Sequence, residues 1–572
     1  MTSSVTQQAC AAAFSARQLG SAARKRVAAA RQQRPMRAPT VAAGALPQSQ
    51  FGGESCALTT SVIAPTVDEA LSEIKEAVEG GADIVELRID FIDALDAERD
   101  IPAMLEACPV PCIVTYRPTW EGGQYDGEEE PRLATLCTAV KVGAAYVDCE
   151  LLAAERFFAA APEGVRDASA TKIILSSHNY ESVPSDAELA DIHARCVAAG
   201  ADIVKIAAMV QDITHVARLE KLLADTADSA ADATIVLGMG EAGQVSRLLA
   251  AKFGSFLTFG ALRSGAESAP GQPTLAQLRD LYRVPAQSKA TKVMGVIGKP
   301  IAQSKSPTLH NPSLAAAGVD ACYVPLLVND INEFLVSPLF GADDYVGFSV
   351  TIPHKEDALK CCAEVDPVAA QIGAVNTLVR QSDGSLKGYN TDYSAAIGAI
   401  EAAMASRPDE SDDPEKALEG KTVVVVGAGG AGRGLAFGAA FKGASVVVAN
   451  RNFERAAVLA EACGGEAVTL EDLQAGKVKG DVLANTTSLG MIPDVEETPV
   501  PKEAIELGGY AVVFDAVYNP LETRLLREAK EAGCTQASGL DMFVGQAAQQ
   551  FELFTGKEAA RDLMREAVLD SM

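Results

Sequence analysis

Between residues 56 and 284, short apolar runs bounded by turn residues alternate with longer stretches of helical spacing. The runs are Ala57–Ile63, Ile84–Ile89, Cys112–Tyr116, Ala145–Glu150, Lys172–Ser177, Ile203–Ile206, Thr234–Met239 and Phe256–Phe259. Val67–Val78 and Asp186–Ala198 are typical of the helical stretches between them. Eight strands, each followed by a helix, predict a (β/α)8 barrel, with an open doubly wound sheet as the alternative. From residue 293 the alternation restarts. KVMGVIG, VDACYVPLLV, GFSVTIP, AVNTLVR and LKGYNTD make a smaller α/β lobe over 293–405. A second α/β lobe over 421–538 opens with a valine run. Helices over 539–572 are expected to pack back on the substrate lobe. The polar stretch 285–292 is the predicted linker and the acidic stretch 406–420 an exposed insert.

One position breaks the pattern. The stretch ADIVKIAAM, 201–209, is apolar on both strand faces yet carries Lys205. A buried cation costs several kcal/mol unless paired, and a free amine is a nucleophile toward ketones. The bland alternative is a lysine snorkelling from a strand end. The barrel frame favours chemistry, because it places reactive side chains at the carboxyl ends of strands. Glu86, Arg88 and Asp90 share one face by the period of two. Arg117 ends the third run and is followed by Glu121. Asp148 and Glu150 end the fourth, His178 the fifth, Lys205 the sixth and Met239 the seventh, with Arg247 just beyond.

Lys205 can form a Schiff base that acidifies the neighbouring carbon, His178 can move the proton, and Glu121 can orient the imidazole. Arg88, Arg117 and Arg247 can clamp a carboxylate and hydroxyls. This chemistry suits a polyhydroxylated keto acid losing a proton beside its ketone and then eliminating; an aldolase shares the lysine and the barrel. In the second half, GAGGAGR follows the run TVVVV and precedes a helical pattern. That context gives the Gly427-x-Gly429-x-x-Gly432 spacing its meaning as a pyrophosphate cradle. The next strand ends in Asn450-Arg451-Asn452 rather than an acid, which favours a 2′-phosphate and therefore NADP over NAD. Lys355 and Asp392, after strand-like runs in the smaller lobe, are the candidate acid/base pair. His354 is a rival acid, set apart because neighbours on extended chain point to opposite sides. His310 is expected to be structural.

The motifs carry a resemblance. VELRID, TYRPTWEGG, LSSHNY, DIVKIAAM, GQVSRLL and SAPGQ resemble the type I 3-dehydroquinate dehydratases across the whole first module. The resemblance implies Lys205 as Schiff-base lysine, His178 as general acid/base and Glu121 as its partner. It also implies substrate contacts from Glu86, Arg88, Arg117, Arg247, Ser268 and Gln272, and no metal. VIGKPIAQSKSPTLHN, VTIPHKE, GAVNTL, GYNTD, GAGGAGR, NRN, NTTSLGM and GLDMFVGQA resemble the shikimate dehydrogenases. That implies Lys355 and Asp392 as the catalytic pair. Ser304, Ser306, Thr351, Asn376, Asp392, Tyr518 and Gln546 would hold the substrate. Gly427, Ala428, Gly429, Gly430, Ala431, Gly432, Asn450, Arg451 and Gly539 would hold NADP. Gln303 departs from the family's usual His, and Asn452 from its usual Thr. The order of modules resembles the fused enzyme of plants and algae, so that 3-dehydroquinate passes through 3-dehydroshikimate to shikimate. A quinate-preferring dehydrogenase and a non-catalytic metabolite sensor are the competing functions.

Composition adds two points. The chain has 572 residues and a formal charge of −27, yet residues 1–53 hold seven Lys/Arg and no Asp or Glu. A basic, acid-free, Ala/Ser-rich segment over 1–55 is expected to be a transit peptide, and the compartment a chloroplast. An acidic body argues against nucleic acid. No apolar run of about 18 residues exists to cross a membrane, and the scattered cysteines argue for a reducing compartment. The expected partners are therefore the small-molecule substrates, with a monomer as the expected state.

Overall fold

The computed structural model describes residues 56–161, 171–229, 231, 233–407 and 416–571. The expected transit peptide and most of the acidic insert lie outside the described residues.

Eight parallel strands form the first module: β1 (Ala57–Val62), β2 (Ile84–Arg88), β3 (Cys112–Thr115), β4 (Tyr146–Glu150), β5 (Lys172–Asn179), β6 (Ile203–Met209), β7 (Ala233–Met239) and β8 (Leu257–Phe259). They pair in sequence order, with β8 returning to β1. At the remaining seam, Phe256 N donates to Thr234 O at 3.0 Å. This is the (β/α)8 barrel, not the open sheet. The barrel is lined by alternate residues such as Ile84, Ile113, Ile174, Ile203 and Ile235. The opposite faces, including Val85, Leu87, Val114 and Val204, bury against the helices. Period-two alternation with apolar residues on both faces is what a sheet covered by helices requires.

Two expectations about the barrel need correction. Strand β6 does not stop at Ile206: Ala207, Ala208 and Met209 continue pairing with Leu237, Gly238 and Met239. Lys205 is thus the third residue of a seven-residue strand rather than its last. Strand β5 likewise runs two residues past Ser177, which puts His178 inside the ladder opposite Ala207.

The second module has two lobes. In the first, strands β9 (Lys292–Gly298), β10 (Ala321–Leu327), β11 (Tyr345–Val350), β12 (Glu364–Val365), β13 (Thr377–Arg380) and β14 (Leu386–Tyr389) pair in the order β10-β9-β11-β13-β14-β12. The second lobe holds β15 (Thr422–Val426), β16 (Ser445–Ala449), β17 (Glu466–Val468), β18 (Val482–Asn485), β19 (Val512–Asp515) and β20 (Thr535–Ala537). Their order is β17-β16-β15-β18-β19-β20, all parallel, which is the doubly wound order that binds dinucleotides beyond the carboxyl end of its first strand. The helix Gly539–Thr555 crosses back to the first lobe. There Leu540, Val544 and Phe551 pack with Met294, Val296 and Tyr323, joined by Met564 and Val568 of the last helix.

The barrel and the second module touch. Lys252 donates to Asp344 at 2.9 Å and to Lys289 O at 3.1 Å, and Asn329 Nδ2 donates to Asp212 at 2.8 Å.

Candidate active sites

In the barrel, Glu86, Arg88, Arg117, His178, Lys205, Arg247 and Ser268 line one small cavity of about 60 Å³. Lys205 Nζ donates to Asp148 at 2.8 Å, lies 3.6 Å from Glu86 Oε1 and sits 4.9 Å from the centre of the Phe259 ring. Its side chain is only 6% exposed, so these partners replace water. Glu86 is itself held by Ser61 at 2.6 Å and Thr115 at 2.9 Å. Burial opposes ionisation of both acids, but the surrounding cations outweigh it. Lys205 and Arg88 hold Glu86 below the usual carboxylate range, and Arg117 with Lys205 hold Asp148 well below it.

His178 Nδ1 lies 2.8 Å from Glu121 Oε2. Burial pushes the Glu121 carboxyl up to about 8 against the pull of Arg117. Burial, aided by Arg117 and Lys205, holds His178 well below the ordinary imidazole range. The site therefore disfavours a separated carboxylate–imidazolium pair. One proton shared between two neutral groups is the favoured state, and losing it frees an imidazole lone pair.

The three arginines, all in the lining of this cavity, differ in their partners. Arg117 is spent on Glu150 at 2.6 Å, Ser176 at 2.8 Å and Asp148 at 2.9 Å. Arg88 forms a fork on Asp90 at 2.9 and 2.7 Å. Arg247 is different: it is buried, its Nε has no hydrogen-bond partner among the described residues, and burial pushes it down to about 10. An unmatched buried guanidinium is matched best by an anionic ligand. Ser268 and Gln272 form their own small turn, with Ser268 N and Oγ donating to Gln272 Oε1 at 2.9 and 3.1 Å, and Ser268 Oγ donating to Ser61 at 3.3 Å.

In the second module Ser304, Ser306, Thr351, Lys355, Asn376, Asp392, Tyr518 and Gln546 line one cavity of about 450 Å³, together with Gln303, Ser349 and Gln550. Lys355 Nζ donates to Asp392 Oδ2 at 2.6 Å. Asp392 stands in the first turn of the helix Thr391–Ala405, capped by Asn390. The strand-based argument separating His354 from Lys355 does not hold, because both residues lie at the start of the helix Lys355–Lys360. They are separated by the helical turn instead, and His354 Nε2 lies 2.8 Å from Val328 O, buried away from the cavity. His310 is fully buried against Tyr323, with ring centroids 4.1 Å apart. Gln550 carried no sequence signal beyond its helix, yet it bridges Ser349 at 2.7 Å and Thr377 at 3.1 Å behind the substrate residues.

The dinucleotide site meets a geometric test of fit. A Cβ at Gly432 would come within 2.1 Å of Gly427 O, so the helix Gly430–Phe441 could not seat against β15 with any other residue. Around Gly429 and Gly430 there is instead open space, beside a helix N-terminus with no side-chain cap, where a pyrophosphate fits. Ala428 N is tied to Asn450 Oδ1 at 3.3 Å, and Ala431 and exposed Arg451 flank the opening. Asn452, the departure from the family pattern, caps the next helix by accepting from Arg455 N at 3.1 Å. Gly539 has a packing reason of its own, since a Cβ there would lie 2.5 Å from Val517 O.

A barrel with a buried lysine beside a His–Glu pair, joined to a two-lobe dinucleotide-dependent oxidoreductase, is a two-activity enzyme with one site per module. Family models match along both: type I 3-dehydroquinase over residues 58–289, the shikimate dehydrogenase substrate binding domain over 296–378, shikimate / quinate 5-dehydrogenase over 411–495 and the shikimate 5′-dehydrogenase C-terminal domain over 539–569. The chain is 49% identical over 506 residues to a chloroplastic bifunctional 3-dehydroquinate dehydratase/shikimate dehydrogenase of Arabidopsis thaliana, covering 88% of this chain and 82% of that one. It is 40% identical over 297 residues to the NADP+ shikimate dehydrogenase of Methanosarcina acetivorans, covering 49% of this chain and 99% of the relative. The chain belongs to the bifunctional 3-dehydroquinate dehydratase/shikimate dehydrogenase family. It is both a lyase and an oxidoreductase, and its cofactor is NADP.

Proposed function

We propose that Lys205 attacks the ketone of 3-dehydroquinate and, with loss of water, forms an imine. The imine draws electrons from the adjacent carbon, and His178 removes the proton there. The neighbouring hydroxyl then leaves as water with a proton returned by His178, and hydrolysis frees 3-dehydroshikimate and Lys205. Asp148 and Glu86 hold Lys205 in place, Glu121 sets the histidine tautomer, and Arg247 takes the substrate carboxylate. Arg117 and Arg88, ion-paired to Glu150, Asp148 and Asp90, also line this cavity and contact the substrate's hydroxyls. The observation that carries this reading is buried Lys205 lining one cavity with His178, whose ring is paired with Glu121.

In the second site the same product is reduced to shikimate. Bound NADPH supplies hydride to the ketone carbon. Lys355 gives a proton to the ketone oxygen, and Asp392 orients the lysine and the neighbouring hydroxyl. Ser304, Ser306, Thr351, Asn376, Tyr518 and Gln546 hold the ring substituents, while Arg451 receives the 2′-phosphate. We assign shikimate rather than quinate to this site on the Ser304-x-Ser306 pair and Thr351, which stand in its lining. We place the enzyme in the chloroplast, on the basic composition of residues 1–55 and the chloroplastic relative. The test is a coupled assay: 3-dehydroquinate and NADPH should yield shikimate and NADP, and turnover of quinate that outpaces shikimate overturns the second half.

A further inference from the structure

The cavity of the dehydrogenase module is not built by that module alone. Among its lining residues is Glu241, which belongs to the barrel. Glu241 follows β7 by one residue and opens the turn Glu241–Gly243. It stands on the rim where catalytic groups gather, two residues from Met239 of the barrel cavity.

Several contacts fix the turn. Gly240 N donates to Pro270 O at 3.0 Å, and Gln244 Nε2 donates to Gly271 O at 3.3 Å. On the β6 side of the rim, Asp212 accepts from Asn329 of the second module at 2.8 Å, and Asn329 in turn accepts from Lys299 at 2.8 Å. Lys299 precedes Pro300, Ile301 and Gln303, which line the cavity together with Glu241. The barrel rim is thereby held against the stretch 299–306 that carries Ser304 and Ser306. Glu241 itself is solvent-exposed and makes no ion pair among those described. Its carboxylate is thus an acidic group in the lining, beside Lys305, Lys355 and Asp392, with no described ion-pair partner of its own.

We propose that Glu241 is a specificity-determining residue of the dehydrogenase reaction, supplied by the dehydratase module. Its charge weakens the hold of the cavity on carboxylate-bearing ligands. It acts on the substrate and product anions while leaving hydride and proton transfer to NADPH, Lys355 and Asp392. The arrangement limits product retention in a site otherwise rich in hydrogen-bond donors. The inference rests on the reading of this cavity as the shikimate site.

The test uses the full chain and the substitutions Glu241→Gln and Glu241→Lys. KM is measured with NADPH for 3-dehydroshikimate and for its neutral methyl ester, at low and high salt. One charge at a solvated mouth changes KM by roughly threefold at low salt. KM for the acid should therefore fall about threefold in Glu241→Gln and further in Glu241→Lys, the differences shrinking with salt. KM for the ester should not move. An unchanged or raised acid KM in Glu241→Gln overturns the proposal, as does an equal shift for acid and ester. The wild-type preference between 3-dehydroshikimate and dehydroquinate tests the reading of the cavity, and the acid-to-ester ratio tests Glu241 alone.

Discussion

Lys205 and Lys355 carry the same amine in opposite settings. Lys205 rises from the middle of a barrel strand, with its side chain 6% exposed and two acids and a phenyl ring around it. Lys355 begins a short helix, its side chain is 32% exposed, and among the described residues its ion-pair partner is Asp392 at 2.6 Å. The first setting shields an amine from water while it is bound to carbon. The second lets a proton be lent and replaced from solvent during each turnover. On the proposed mechanism, position in the fold separates a nucleophile from a general acid, and the difference lies in their neighbours.

The buried setting is also the more connected. Glu150 accepts from Arg117 at 2.6 Å and from Arg132 at 2.7 Å, and Arg132 also donates to Glu129 at 2.6 Å. A chain of alternating charges therefore runs from the barrel exterior through Asp148 to Lys205. Removing one member of such a buried set leaves its neighbour unmatched, which costs more than the pair contributes.

The contrast is broken most severely by Lys205→Ala. It should lower dehydratase kcat by at least about a thousandfold and leave NADPH-dependent reduction of 3-dehydroshikimate at the parental rate. Steady-state assays of both activities on one preparation check it. Asp392→Asn should do the converse, lowering dehydrogenase kcat by about a hundredfold or more and sparing the dehydratase. The His178–Glu121 pair sharpens the difference through pH. Its shared proton leaves near pH 8, the value to which burial raises Glu121. Loss of that proton exposes the base, so dehydratase kcat/KM should rise with pH through a limb centred near 8. Glu121→Gln should erase the limb and lower the rate by tens of times. The smallest effect is expected of Arg451→Ala, which should raise KM for NADPH by about tenfold while leaving that for NADH unchanged.

The barrel strands were legible because each apolar run sits between turn residues, and Lys205 stood out as a lysine in the middle of a run apolar on both faces. The residues of the second cavity were legible from the motifs, since VTIPHK carries Thr351 and Lys355 to it, GAVNTL carries Asn376 and GYNTD carries Asp392. What escaped has a physical reason in each case. The end of β6 depends on pairing with β7, which Ala207–Met209 do not reveal on their own. That Arg117 and Arg88 are already ion-paired was not legible, because Arg117 meets Glu150 and Asp148 only through the folded barrel. Strand β12 has two residues, too few for any alternation. Glu241 belongs to one module by sequence and to the other by position, so no motif of either could point to its place in the cavity.

The central claim is that Lys205 alone becomes covalently bonded to substrate carbon. The full chain, incubated with 3-dehydroquinate and reduced with borohydride, can be digested and mapped by mass spectrometry. The account predicts one stoichiometric adduct, on Lys205, with Lys355 unmodified and dehydratase activity lost in proportion to labelling. An inactivated dehydratase bearing its adduct elsewhere, or full dehydratase activity surviving the reduction, would contradict it.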